Sequence, residues 1–216
     1  MLDVFISNLP YLMKGAVQTV WLALAGVGFG TLFGLILGVA NASMGGIIAW
    51  FINIYVFVIR GIPVLVWMFL AYYMLPQLGL IIGDIFAVIG SLILYTGAFV
   101  AEIARGAVLS IPKHQVDSAK GLGMNKFNTL RLVIIPQAMK MSVPPLLNNS
   151  VMMIKATAYV SVVGVWELTY AAREVVERTL AAFQVFFGVM CIYFLICYPL
   201  TIVARQLEKR YSYDHG

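Results

Sequence analysis

Residues 15–59, GAVQTVWLALAGVGFGTLFGLILGVANASMGGIIAWFINIYVFVI, contain no Asp, Glu, Lys or Arg. One membrane crossing needs about 20 apolar residues, so this run exceeds the length of a single span. From Gly61 to Ala101 the only such charge is Asp84. Over the whole chain 62% of residues are hydrophobic and 11% are charged, against roughly 45–50% and about 25% in an average soluble domain. A water-soluble globule of this composition lacks the polar residues to cover its own surface. The sequence therefore predicts an all-α integral membrane protein.

Breaking the apolar runs at Pro, Gly and charge gives five transmembrane helices near 15–40, 61–80, 85–107, 142–165 and 182–205, within one domain, 1–216. Residues 44–60 either lie at the interface, as Trp50, Asn53 and Tyr55 suggest, or extend the second span. The loop at 102–140 carries Arg105, Lys113, Lys120, Lys126, Arg131 and Lys140 against Glu102 and Asp117, a net of +4. The positive-inside rule makes it cytoplasmic. The amino terminus and 167–178 then fall outside, and Arg60 and the carboxyl-terminal tail from Arg205 fall inside. The first apolar run is too long for a signal-peptide core and has no basic start, so it is expected to be structural. Gly26, Gly30, Gly34 and Gly38 recur every four residues and predict a close helix-packing stripe. Cys191 and Cys197 lie inside the last apolar run and read as small buried thiols.

The basic loop holds Ser110-Ile-Pro-Lys-His-Gln-Val-Asp-Ser-Ala-Lys-Gly-Leu-Gly-Met124. Pro112 opens and Gly121 and Gly123 close a helix of about two turns. Val116, Ala119 and Leu122 recur every third position as a narrow apolar face beside Lys113 and Lys120. Periodicity alone allows a surface helix lying against lipid headgroups.

Asp117-Ser118-Ala119, Gly123 and Val133-Ile134-Ile135-Pro136 match in spacing a signature of binding-protein-dependent importers: Glu-Ala-Ala, three residues, Gly, nine residues, then apolar, any, apolar, Pro. Phe99-Val-Ala-Glu102-Ile-Ala-Arg105-Gly106, Gln115, Leu122-Gly-Met124, Ile134-Ile-Pro-Gln-Ala138 and Arg60-Gly-Ile-Pro63 further resemble the polar amino acid permeases of bacterial ABC importers. The resemblance covers roughly 15–206. It departs at Ser118, at Asp117 and at Ile62, where the family usually has Ala, Glu and a small hydroxyl residue.

The resemblance implies a subunit of the bacterial cytoplasmic membrane that moves an amino acid or related small polar solute. It implies as partners an ABC ATPase pair, a second permease, identical or homologous, and an external solute-binding protein, besides membrane lipid. Gln115, Val116, Asp117, Ala119, Leu122 and Gly123 are implied to couple to the ATPase. No phosphate-binding Gly-x-x-x-x-Gly-Lys loop occurs in the sequence. ATP hydrolysis is therefore expected on a partner, and no cofactor, metal site or nucleic-acid partner is expected; His114 and His215 suggest no ligand set.

Lys155 stands about 20 Å along the fourth span from Ser142. An ammonium at that depth costs roughly 2.5–3.5 kcal/mol, so it is expected to face a watery pathway or a partner. Asn148, Met152, Lys155, Tyr159 and Trp166 are spaced to share one helical face. Tyr95 and Thr96 either complete that face or bond between helices. The resemblance adds Asn149 and Ala156 as borders of a central solute site. With no acid at either position, a neutral, acidic or zwitterionic solute is favoured. Glu102 and Arg105 are spaced to pair along a helix, either as an interfacial ion pair or as a brace for the loop. Glu167 and Arg173 are expected outside, solvated or meeting a docking protein. A self-sufficient secondary transporter is the competing class; it calls for internal repeats and intramembrane carboxylate relays, and the sequence has neither.

Overall fold

A computed structural model describes residues 3–212, in the order α1 (Asp3–Met44), α2 (Gly46–Gly61), α3 (Val64–Gln77), α4 (Asp84–Leu109), α5 (Lys113–Gly121), α6 (Lys126–Val163), α7 (Leu168–Thr179) and α8 (Ala182–Ser212). Helices α1, α4, α6 and α8 are each long and apolar enough to cross a membrane, and α2 with α3 forms a fifth, broken span bent by 101°. The five expected spans are thus present, with different limits. The first helix begins at Asp3 rather than near 15, and the fourth runs from Lys126. His215 lies outside the described residues.

The break has a local cause. Ile62 precedes Pro63, and a residue before proline is driven out of the helical region; Ile62 is extended, at φ −119° and ψ 134°. Residues 46–61 are therefore a helix of their own, the first member of the pair that meets α3 at 101°. Arg60 stands at the end of that helix, with its guanidinium over the Phe99 ring of α4. Two wider π turns, Leu70–Met74 and Leu130–Ile134, each stand just before a proline, Pro76 and Pro136. A proline ring clashes with the carbonyl four residues back, and an expanded turn relieves that clash.

The bundle is organised on α1 and α4. A β-carbon added at Gly26 would meet Leu92 at 2.7 Å, one at Gly30 would meet Thr96 at 2.6 Å, and one at Gly34 would meet the Gly97 carbonyl at 2.5 Å. Each four-residue step along α1 is matched by four along α4, so the two helices run parallel and in register. Small residues admit this backbone approach where lipid offers no hydrophobic drive for association. Helix α2 crosses the same partner, with Ile52 and Val56 on Ala101 and the Tyr55 hydroxyl donating to the Leu94 carbonyl at 2.5 Å. At the end nearer Asp84, α7 buries Leu168, Ala171, Ala172 and Val175 against Leu12 and Ala16 of α1 and Val185 and Val189 of α8.

Gly34→Leu is expected to separate α1 from α4 and cut the yield of folded protein severely, since overpacking of a close contact costs about 1–3 kcal/mol or more. Gly28→Leu, at a position with open space around it, is expected to fold normally. Fluorescence-detected size exclusion of both variants in detergent measures the contrast.

Candidate functional site

Two regions carry the chemistry: the α5 end of the bundle and the open face of α6. Helix α5 begins after Pro112 and closes where the Met124 N–H reaches the Ala119 carbonyl at 3.1 Å and the Gly123 N–H reaches Lys120 at 2.9 Å. Gly123 has φ +78°, the left-handed cap conformation in which a β-carbon is strained. Its glycine thus serves backbone geometry, and nothing within the chain crowds it.

The residues of α5 divide by side. Ala119 is 3% exposed, Val116 is half-buried and lines a cavity of about 590 Å³ with Ala42, Ser43 and Phe127, and the Gln115 side-chain carbonyl accepts from Gln137 Nε2 at 2.6 Å. These three hold the helix to its own bundle. Leu122, the third residue of that apolar spacing, lies past the helix end and is 83% exposed. Asp117, Ser118, Gly121 and Gly123 are exposed with it, and Phe127 and Leu132 add apolar surface nearby. Asp117 and Lys120 form an exposed ion pair at 3.5 Å, of the kind worth about 0–1 kcal/mol. Glu102 and Arg105 pair as their spacing predicts, through two bonds of 3.0 and 2.6 Å.

On α6, Asn148, Met152, Lys155 and Tyr159 all lie on one exposed face. Trp166, the fifth residue expected on that face, does not. The 3.6-residue period gives way to a 3₁₀ turn over Thr157–Val163, and Gly164 then ends the helix at φ +87°. Trp166 is consequently turned inward, donating to Glu174 at 3.0 Å and to the Tyr11 hydroxyl at 3.2 Å. Asn149 is buried, and neither end of its amide has a partner among the described residues. Thr96 is also buried, against Gly30, with its hydroxyl unpartnered among the described residues. Tyr95 is half-exposed and stacks obliquely on Phe99 at 5.1 Å.

Lys155 lines a cavity of about 430 Å³ with Tyr193, Cys197, Tyr198, Thr201 and Arg205 of α8. The α8 partners were readable in principle, because Tyr198, Thr201 and Arg205 follow the same three-and-four spacing as the α6 face. No group of three or more His, Cys, Asp or Glu suited to a metal occurs among the described residues. What the arrangement offers is a cationic, tyrosine-bearing groove for non-covalent recognition.

Glu167 departs furthest from expectation. It is fully buried, accepts from the Tyr170 N–H at 2.9 Å and from the hydroxyls of Thr19 and Tyr193 at 3.0 Å each, and so caps α7 while tying α1 to α8. Burial pushes its carboxyl above the ordinary carboxylate range, against the pull of the Thr169 and Tyr170 N–H groups. It has no surface with which to meet a docking protein. Arg173 is exposed, over the Tyr170 ring at 5.8 Å.

Residues 30–213 match the family model described as binding-protein-dependent transport system inner membrane component. The glutamine transport system permease protein GlnP of Escherichia coli K12 is 34% identical over 204 residues, covering 94% of this chain and 93% of that one. The L-cystine transport system permease protein TcyB of Bacillus subtilis is 34% identical, covering 93% of this chain and 86% of that one. Among solved structures, an amino acid ABC transporter crystallised with histidines superposes with a TM-score of 0.89 at 32% identity, over 97% of this chain and 98% of that chain.

Glu167→Ala is expected to cost about 1–3 kcal/mol by orphaning the buried groups around it, while Glu167→Gln keeps the cap. A raised carboxyl pKa favours the protonated form in the fold, so wild-type stability relative to Glu167→Gln should fall as pH rises from about 4 to 8. Thermal unfolding of the three proteins across that range measures both effects.

Proposed function

The chain belongs to the family of binding-protein-dependent transport system inner membrane components, and from that premise we propose how its geometry serves transport. It is the membrane-spanning permease subunit of an ABC importer for an amino acid or related small polar solute, resident in the bacterial cytoplasmic membrane. It is not itself an enzyme; ATP hydrolysis belongs to a separate subunit. Its partners, in this reading, are an ATPase pair, a second permease subunit, identical or homologous, and an external solute-binding protein. The α5 end faces the cytoplasm, and the amino terminus and α7 face outward.

One observation carries the reading: α5 is fastened to α6 by Gln115 and Gln137, and α6 continues to Lys155 and Tyr159 on the open face. Force applied at the exposed Leu122 tip is transmitted along one helix to the groove that would hold solute. The inward residues Gln115, Val116 and Ala119 serve as the fastening, and Asp117, Leu122 and the Gly123 cap supply the surface for the ATPase. Alternating access follows from nucleotide-driven rocking of α5 and α6 together. Asn148, Met152, Lys155 and Tyr159 line the pathway, with Tyr95 at its border. Asn149 and Thr96 support it from inside the bundle. Since no carboxylate among the described residues joins Lys155 and Arg205 in their cavity, a neutral, acidic or zwitterionic solute is favoured.

Leu122→Glu is expected to abolish co-purification of the ATPase while the permease stays folded; retained co-purification and uptake would remove the docking role. Lys155→Met is expected to lower uptake into proteoliposomes by tenfold or more with the complex assembled, and unchanged uptake would take Lys155 out of the pathway.

A further inference from the structure

The cavity of about 590 Å³ beside α5 is left unused by the docking surface that Asp117 and Leu122 form. Its walls come from four elements: Ala42 and Ser43 at the end of α1, Val108 at the end of α4, Val116 and Lys120 on α5, and Lys126 at the start of α6. Helices α1, α4 and α6 are long and apolar enough to cross a membrane, so the cavity lies where three spans end. Along α4 the uncharged run closes at Glu102, and Val108 stands about 9 Å further on. The headgroup layer on each face of a bilayer is roughly 5–8 Å thick. The cavity is therefore at the level of lipid headgroups.

Its chemistry is divided. Val108, Val116, Phe127 and Ile134 give it an apolar wall, and the exposed Lys120 and Lys126 give it a cationic rim, with no carboxylate in the lining among the described residues. Lys126 has no ion pair or side-chain hydrogen bond among the described residues. Lys120 meets Asp117 at 3.5 Å, with 62% and 70% of the two side chains exposed, and a pair so open to solvent is readily exchanged for another anion. Two ammoniums above an apolar wall at headgroup level fit an amphiphile that carries negative charge. Basic pockets between membrane helices on the cytoplasmic side take anionic headgroups in this way. A free phosphate would gain nothing from the apolar wall, and a zwitterionic headgroup would bring its own cation against the lysines. The volume is that of a small-molecule site, enough for a phosphoglycerol headgroup and its glycerol backbone while the acyl chains stay in the bilayer.

We propose that this cavity binds an anionic phospholipid, its phosphate held by Lys120 and Lys126 and its glycerol backbone against Val108 and Val116. Bound there, the lipid joins the ends of α1 and α4 to α5, so that part of the seat of α5 is made of lipid. The transport reading above supplies only the identity of the leaflet, the cytoplasmic one, and the binding itself does not depend on it.

Native mass spectrometry of the full-length chain in mild detergent, titrated with phosphatidylglycerol or phosphatidylethanolamine of matched acyl chains, tests the site without ATP or transport. Wild type should bind its first phosphatidylglycerol at least about tenfold more tightly than phosphatidylethanolamine, because each lysine near an anionic group is worth roughly fivefold. Lys126→Gln should weaken that binding by about fivefold, and Ala42→Phe, which fills the cavity, should remove it. Lys113→Gln, which deletes an exposed charge of the same helix outside the cavity, should leave it unchanged. Equal affinity for the two lipids overturns the proposal. So does an equal loss in Lys113→Gln and Lys126→Gln, which would mean diffuse surface charge, and so does full binding in a folded Ala42→Phe. Should Ala42→Phe fail to fold, the two lysine variants decide. Displacement of the lipid by an equal concentration of glycerol 3-phosphate would make this a free-phosphate site, and displacement by the added ATPase would give the cavity to a protein; either result also overturns the proposal.

Discussion

Direct backbone contact between α1 and α4 is the constraint on which the rest depends. In lipid, two apolar helices gain nothing from leaving their solvent, so only the short-range fit of their surfaces keeps them together. The glycines of α1 bring Gly97 and Ala101 of α4 close enough that no β-carbon fits between. Once that pair is fixed, α2 has a ledge to cross and α3 a surface to follow. The helix end at Ile62 and Pro63 then leaves Arg60 over the Phe99 ring on the side of α4.

The second organising element is the continuity between α5 and α6. A nine-residue helix has little stability alone, and here it is held by the buried Ala119, the Gln115 to Gln137 bond and a glycine-terminated cap. The same residues that keep it in place leave its far side free. At the opposite end Glu167 performs the comparable task for α7, gathering N–H and hydroxyl donors from three helices around one carboxylate.

The architecture was legible wherever a physical rule has one outcome. Uncharged length gave the spans, four-residue glycine spacing gave the close contact, and loop spacing gave the family. Where a rule has two outcomes, only the structure chose. Periodicity found the apolar side of α5, yet could not say that Ala119 meets its own bundle while Leu122 meets the outside. A helical wheel carried through Trp166 fails because the period changes at Thr157. Glu167 misleads for a different reason: a charged residue in a polar stretch reads as solvated, and nothing local reveals that Thr19 and Tyr193, far off in the chain, come to it. Arg60 could be read only for its side of the membrane, because nothing in its charge shows that the helix end beside the break sets it over the Phe99 ring.

Parallel pairing of α1 with α4 has a consequence for biogenesis. Two helices of like direction cannot be neighbours through a short turn, and here the whole broken span separates them in the chain. As the polypeptide leaves the ribosome, the glycine groove of α1 enters the bilayer with its mate still unsynthesised. Until α4 emerges, that groove has only lipid or other protein to face, so the closest contact in the bundle is also one that forms late and across a long stretch of chain.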